Sequence, residues 1–142
     1  MQGPAGPLAL RGGIDPWAFA LASARRARYN GGGRGSRREK RGDVTRVIKI
    51  VAKMLVREDR VEDFKRTARE LVEKSRQDAG NVYYTLNVSE ENPRLLAFVE
   101  CWRDWDAINA HGETEHFTSI LPKLGGMCEA ALPVERFDEI EY

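Results

Sequence analysis

The chain has 142 residues and a mass of 16.1 kDa, with 42% hydrophobic and 32% charged residues, which fits one water-soluble globular domain and leaves little room for a second. No run approaches the roughly 18 apolar residues of a spanning helix, so no membrane partner is expected. The net charge of +1 hides an asymmetry: residues 1–43 hold nine of the 23 Lys+Arg and three of the 22 Asp+Glu, so the leader is basic and the remainder acidic.

Nine of the 13 glycines also fall within residues 1–43, and the stretch Tyr29 to Arg38 has no apolar period. Such a segment buries too little surface to offset its ordering entropy and is expected to be disordered. Trp17 to Ala27, after Pro16, is a candidate short helix. A transit-type leader, an Arg-rich nucleic-acid tail and an over-extended gene start are alternative readings. The acidic body argues against nucleic acid as a partner. Two cysteines, Cys101 and Cys128, sit in apolar-patterned segments without a CxxC or Cys/His pattern. They read as free buried thiols, which suits a reducing cytoplasm.

From Val44 the pattern changes. Arg46 to Val56 alternates as a strand, with Ile48, Ile50, Ala52, Met54 and Val56 on a wholly apolar face. Asp59 with Glu62 has the spacing of a capping box. Val61, Phe64, Ala68, Leu71, Val72 and Ser75 then recur at helical spacing, and Gly80 is expected to stop that helix. Val82 to Val88 and Arg94 to Trp102 read as two strands joined through Ser89 to Pro93, an antiparallel hairpin. Asp104 is expected to cap a short helix through His111, broken at Gly112. A second helix begins near Thr114, carries Phe117, Ile120, Leu121, Leu124 and Met127, and is expected to kink or fray at Pro122 and Gly125-Gly126. Pro133 to Ile140 is expected as the last strand.

Strand, helix, hairpin, helix, strand is the β-α-β-β-α-β order of a ferredoxin-like α+β fold over residues 44–142. The first strand is apolar on one face and substantially apolar on the other, so a second cover is needed for the sheet. A homodimer forming an α/β barrel is the expected remedy.

The densest group of functional side chains is Phe98 to Trp102, Trp105, His111, His116 and Phe117. Alternation places Phe98, Glu100 and Trp102 on one face, and an acid between two aromatics is costly to bury unless it is paired or its pKa rises. Glu100 is therefore either a structural residue that holds the neighbouring helix by an ion pair or hydrogen bond, or a site carboxylate or the partner that orients a histidine. His111 and His116 are the chain's two histidines. Five residues apart on an ideal helix they diverge by about 140°, but Gly112 breaks the helix between them, so His111 at the end of one helix and His116 at the start of the next can both turn toward a pocket under the sheet. That spacing, with no third ligand evident, argues against a metal site. Neutral imidazole is the best general base available. No nucleophile elbow, phosphate loop or dinucleotide fingerprint is present.

Ile48–Ala52, the helix opening Glu58 to Phe64, Gly80 before Tyr84, and the run Val99-Glu100-Cys101-Trp102-Arg103-Asp104 with Asp106-Ala107, His111, Thr114 and His116-Phe117 resemble the antibiotic biosynthesis monooxygenase (ABM) domain. The similarity spans about residues 46–140 and is greatest to a small branch of quinol monooxygenases and the related isomerase of a phosphorylated autoinducer. It implies a dimeric ferredoxin-like barrel that oxidises a quinol or small phenol with molecular oxygen and no cofactor. His111 would be the base and Glu100 its orienter. Trp102, Tyr84 and Phe117 would wall the site, His116 would add a polar contact, and Lys53 would steady an anionic oxygen. An isomerase of a small carbonyl compound and a non-catalytic ligand-binding dimer are the alternatives. The haem-degrading branch uses Asn, Trp and His where this chain has Met54, His111 and Leu121, so haem degradation is not expected.

Overall fold

The computed structural model describes residues 47–142. The expectations for residues 1–43, and for the start of the first strand at Arg46, lie outside the described residues. Strand β1 (Ile48–Val56) alternates strictly, with Ile48, Ile50, Ala52, Met54 and Val56 buried and the intervening residues half-buried. A single 3-10 turn (Glu58–Arg60) leads into α1 (Val61–Ser75), which buries Phe64, Ala68, Leu71, Val72 and Ser75. The hairpin strands are β2 (Asn81–Val88) and β3 (Leu95–Trp102). Two short helices follow, α2 (Trp105–Gly112) and α3 (Glu115–Gly125), then β4 (Cys128–Ala131) and β5 (Glu135–Asp138).

The strand order is β2-β3-β1-β4, with β5 also paired to β1, and every neighbour is antiparallel. Because β3 lies between β1 and β2, this is the split βαβ arrangement of the ferredoxin-like α+β fold. One sheet face carries the helices. Between them lies a core that includes Phe64, Leu71, Tyr84, Phe98, Trp102 and Leu124.

Three local expectations are corrected. The capping box at Asp59 and Glu62 does not form: Asp59 lies inside the 3-10 turn, Arg60 is the cap position without a side-chain bond, and Glu62 pairs with Lys65 at 3.0 Å. Gly80 does not end α1, which caps at Arg76. It turns the chain into β2 instead, at φ +82°, and its carbonyl accepts from Arg103 N at 2.8 Å. A Cβ at Gly80 would stand 2.5 Å from the Ala107 Cβ, so the loop and α2 approach this closely only because residue 80 is glycine. The single final strand is replaced by two short ones. β4 pairs Met54 to Val56 and β5 pairs Ile48 to Val51. Pro133, which has no N–H to donate, lies in the break between them, while Leu132 N still bonds Lys53 O at 3.1 Å.

Both helix starts near the site match the expectation. The Asp104 carboxylate accepts from Ala107 N at 2.8 Å to open α2, and Thr114 Oγ1 accepts from Phe117 N at 3.3 Å to open α3. α3 continues past Pro122 to Gly125.

Candidate active site

The link between α2 and α3 is two residues long, Glu113 and Thr114, and the Thr114 hydroxyl donates to His111 O at 2.7 Å. This tight reversal changes the geometry that one continuous helix would impose. His111, in the last turn of α2, and His116, in the first turn of α3, end with ring centroids 5.9 Å apart. Between them stands a residue that the spacing did not reveal. Asp78 Oδ2 lies 2.7 Å from His111 Nδ1 and 2.9 Å from His116 Nε2. Asp78 belongs to the turn between α1 and β2, so its link to the histidines is entirely tertiary. The premise that no third ligand exists fails here: Asp78, His111 and His116 offer three donor atoms within 4.8 Å of one another.

An ionised carboxylate oxygen accepts and does not donate. Two imidazoles sharing Asp78 Oδ2 therefore both present N–H to it, which fixes His111 as the tautomer with hydrogen on Nδ1. Its Nε2 is left as a bare lone pair. That atom is buried and has no hydrogen-bond partner among the described residues. Around the ring stand Trp102 at 4.6 Å, Phe117 at 4.7 Å and Tyr84 at 5.5 Å between centroids. Burial holds the His111 imidazole below the ordinary histidine range, against the hydrogen bond and charge of Asp78. Neutral near pH 7, with one nitrogen locked and the other open, it is equipped to accept a proton.

Glu100 occupies a different part of the cluster. Its Oε2 accepts from Trp102 Nε1 at 2.8 Å, and Tyr84 stands opposite it in the register of β2 and β3. Burial pushes the carboxyl up to about 7, against the pull of Trp102 and Tyr84. Burial likewise raises Tyr84, followed by the charge of Glu100. Glu100 thus holds the Trp102 wall, while Asp78 takes the histidine-orienting place expected of it. Lys53 does not join the group. It lies on the other sheet face and pairs with Glu135. Burial also raises both free thiols, Cys128 to about 11, which leaves neither as a ready nucleophile.

The chain is thus a ferredoxin-like α+β protein with an aspartate-bound histidine set among aromatics beneath its sheet, and sequence comparison places it further. The Antibiotic biosynthesis monooxygenase family pattern matches residues 47–123. The chain belongs to that family. It is 35% identical over 92 residues to a Bacillus subtilis (strain 168) protein named "Putative monooxygenase YcnE", covering 63% of this chain and 95% of that one. A crystal structure described as an antibiotic biosynthesis monooxygenase is 29% identical, with a TM-score of 0.63 over 66% of this chain and 99% of its own. A conserved protein from Methanosarcina mazei Go1 is 26% identical, with the same TM-score, over 66% of this chain and 92% of its own. Among the described residues no helix is long and apolar enough to cross a membrane.

Proposed function

We propose that the protein is a monooxygenase that uses His111 as general base on a neutral quinol or small phenol, with molecular oxygen as co-substrate and no cofactor. The observation that carries this reading is the state of one ring: Nδ1 is held by Asp78 while Nε2 is buried without a partner among the described residues. A bare buried nitrogen forgoes a hydrogen bond, and a substrate O–H at Nε2 would restore it. The base takes the phenolic proton, and the electron-rich anion reduces oxygen by one electron. Recombination forms a carbon–oxygen bond, and the peroxy adduct breaks its O–O bond. One oxygen atom stays on the substrate carbon as a carbonyl. The other leaves as water with the two hydrogens the substrate has lost. The aromatic walls exclude bulk water from this sequence.

The charge of the cluster favours a neutral substrate. Asp78 and Glu100 are both acids, and Lys53, the cation expected to steady an anion, faces away. A phosphorylated substrate of the isomerase type would bring its own negative charge toward them. The test is oxygen uptake by the EDTA-treated full chain with a panel of hydroquinones, beside His111→Ala. Uptake above autoxidation is expected, reduced at least about a hundredfold by the substitution. No uptake from any quinol, or uptake that survives in His111→Ala, would remove this reading.

We also infer that a second copy covers the open sheet face. Val51, Leu55, Leu95, Ala97 and Val99 are only half-buried there. Phe137, opposite Lys49 in the sheet, is 48% exposed. Contiguous apolar surface of this kind marks an interaction site. Sedimentation at micromolar concentration is expected to give a dimer, and Val51→Glu to give monomer. A monomeric wild-type chain would reject the inference.

A further inference from the structure

We propose that Asp78, His111 and His116 form a binding site for a divalent transition-metal ion, and that the bound ion switches the site off. The second half of this proposal rests on the reading of His111 as the base; the first does not. Three separate segments converge here: the turn after α1, the last turn of α2 and the first turn of α3. Their side chains are 14%, 4% and 14% exposed in the order Asp78, His111, His116. Two imidazoles and one carboxylate are a donor set for Zn²⁺, Co²⁺, Ni²⁺ or Cu²⁺. Mg²⁺ and Ca²⁺ prefer oxygen ligands. Among the described residues the two imidazoles are the side chains that hydrogen-bond the Asp78 carboxylate, so a dication would neutralise a half-buried anion.

The spacing is close to what an ion needs. Donors at about 2.0–2.1 Å around a tetrahedral ion stand roughly 3.3 Å from each other. The contacts of 2.7 and 2.9 Å from Asp78 Oδ2 therefore open by about half an ångström, while the two histidine nitrogens, within 4.8 Å of each other, settle to the same separation. Asp78 sits in a turn outside any helix or strand, so this shift disturbs no backbone ladder.

The switch follows from the tautomer. In the hydrogen-bonded state His111 carries its hydrogen on Nδ1 and leaves Nε2 bare. As a metal ligand, Nδ1 must be bare, and the single hydrogen of the neutral ring moves to Nε2. The atom that accepts the substrate proton becomes an N–H donor, and no base remains.

The probe is Co²⁺ added to the EDTA-stripped full chain. Visible ligand-field bands saturating at one ion per chain are expected, displaced by Zn²⁺, with affinity at least about a hundredfold weaker in Asp78→Asn and in His116→Gln. Absence of bands, or bands that persist unweakened in both folded variants, would overturn the site. Histidine ring-nitrogen NMR of the wild-type chain does not depend on the variants folding. On adding Zn²⁺ the His111 hydrogen is expected to move from Nδ1 to Nε2, and an unchanged spectrum would overturn the proposal. Zn²⁺ at one equivalent is expected to stop oxygen uptake. Binding without that loss would overturn the switch. Binding by a chain that consumes no oxygen even when stripped would keep the metal site and sink the base reading instead.

Discussion

Asparagine at position 78 is expected to lower oxygen-dependent turnover at least about a hundredfold, which corresponds to about 2.7 kcal/mol of lost transition-state stabilisation. The carboxylate does two things for His111 that an amide does not. Its charge stabilises the imidazolium formed when Nε2 takes a proton. As an acceptor without hydrogens, it also admits only the tautomer with hydrogen on Nδ1. An amide that turns its NH₂ toward Nδ1 puts the hydrogen on Nε2, and one that turns its carbonyl there still brings no charge. Stability should change little, because Asp78 is half-buried in a turn. The assay uses EDTA-treated protein, so that loss of a metal ligand does not enter. Combining Asp78→Asn with His111→Ala should cost little more than His111→Ala alone, since the two act as one unit. Full turnover in folded Asp78→Asn would show that Asp78 does not prepare the base.

Asp78 also marks where reading the sequence stops short. Periodicity reports faces of elements, and it identified the strand face of Phe98, Glu100 and Trp102 and the helix starts at Asp104 and Thr114. A turn residue has no periodicity. Asp78 lies 33 and 38 positions from its two partners, and only the tertiary approach of the turn at Gly80 to α2 brings them together. The nearest available signal was Gly80 itself, whose positive φ and missing Cβ allow that approach. The break at Gly112 was legible, and with it the turn of both rings toward one place, but the spacing of the histidines gave no sign of the third donor between them. The broken last strand was missed because Cys128–Ala131 is too short to show alternation. Glu100 was legible as an expensive buried acid, but not its partners. Trp102 is two residues along the same strand face, and Tyr84 comes from β2, where it stands opposite Glu100 in the register.

The cost of burying Glu100 leads to the other large effect: Glu100→Gln is expected to stabilise the protein at pH 8 and to leave it nearly unchanged at pH 4.5. The carboxyl titrates near 7 in the folded chain, with burial as the main cause, and near its ordinary value of 4.5 when unfolded. Between those pH values the folded state binds more protons than the unfolded state, so the stability contributed by neutral Glu100 is full below about 4.5 and is lost as pH rises through about 7. The loss amounts to about 3 kcal/mol. Glutamine has the shape of the neutral acid, offers a carbonyl oxygen to Trp102 Nε1, and does not ionise. It should therefore remove that pH-dependent loss without opening a cavity, as alanine would. Urea unfolding of both proteins at several pH values between 4.5 and 8 measures the difference directly. A difference between wild type and Glu100→Gln that stays constant across the range would mean that Glu100 is ionised throughout. The carboxylate would then be held by Trp102 and Tyr84 strongly enough to outweigh burial, and the aromatic walls of the site would enclose a fixed negative charge.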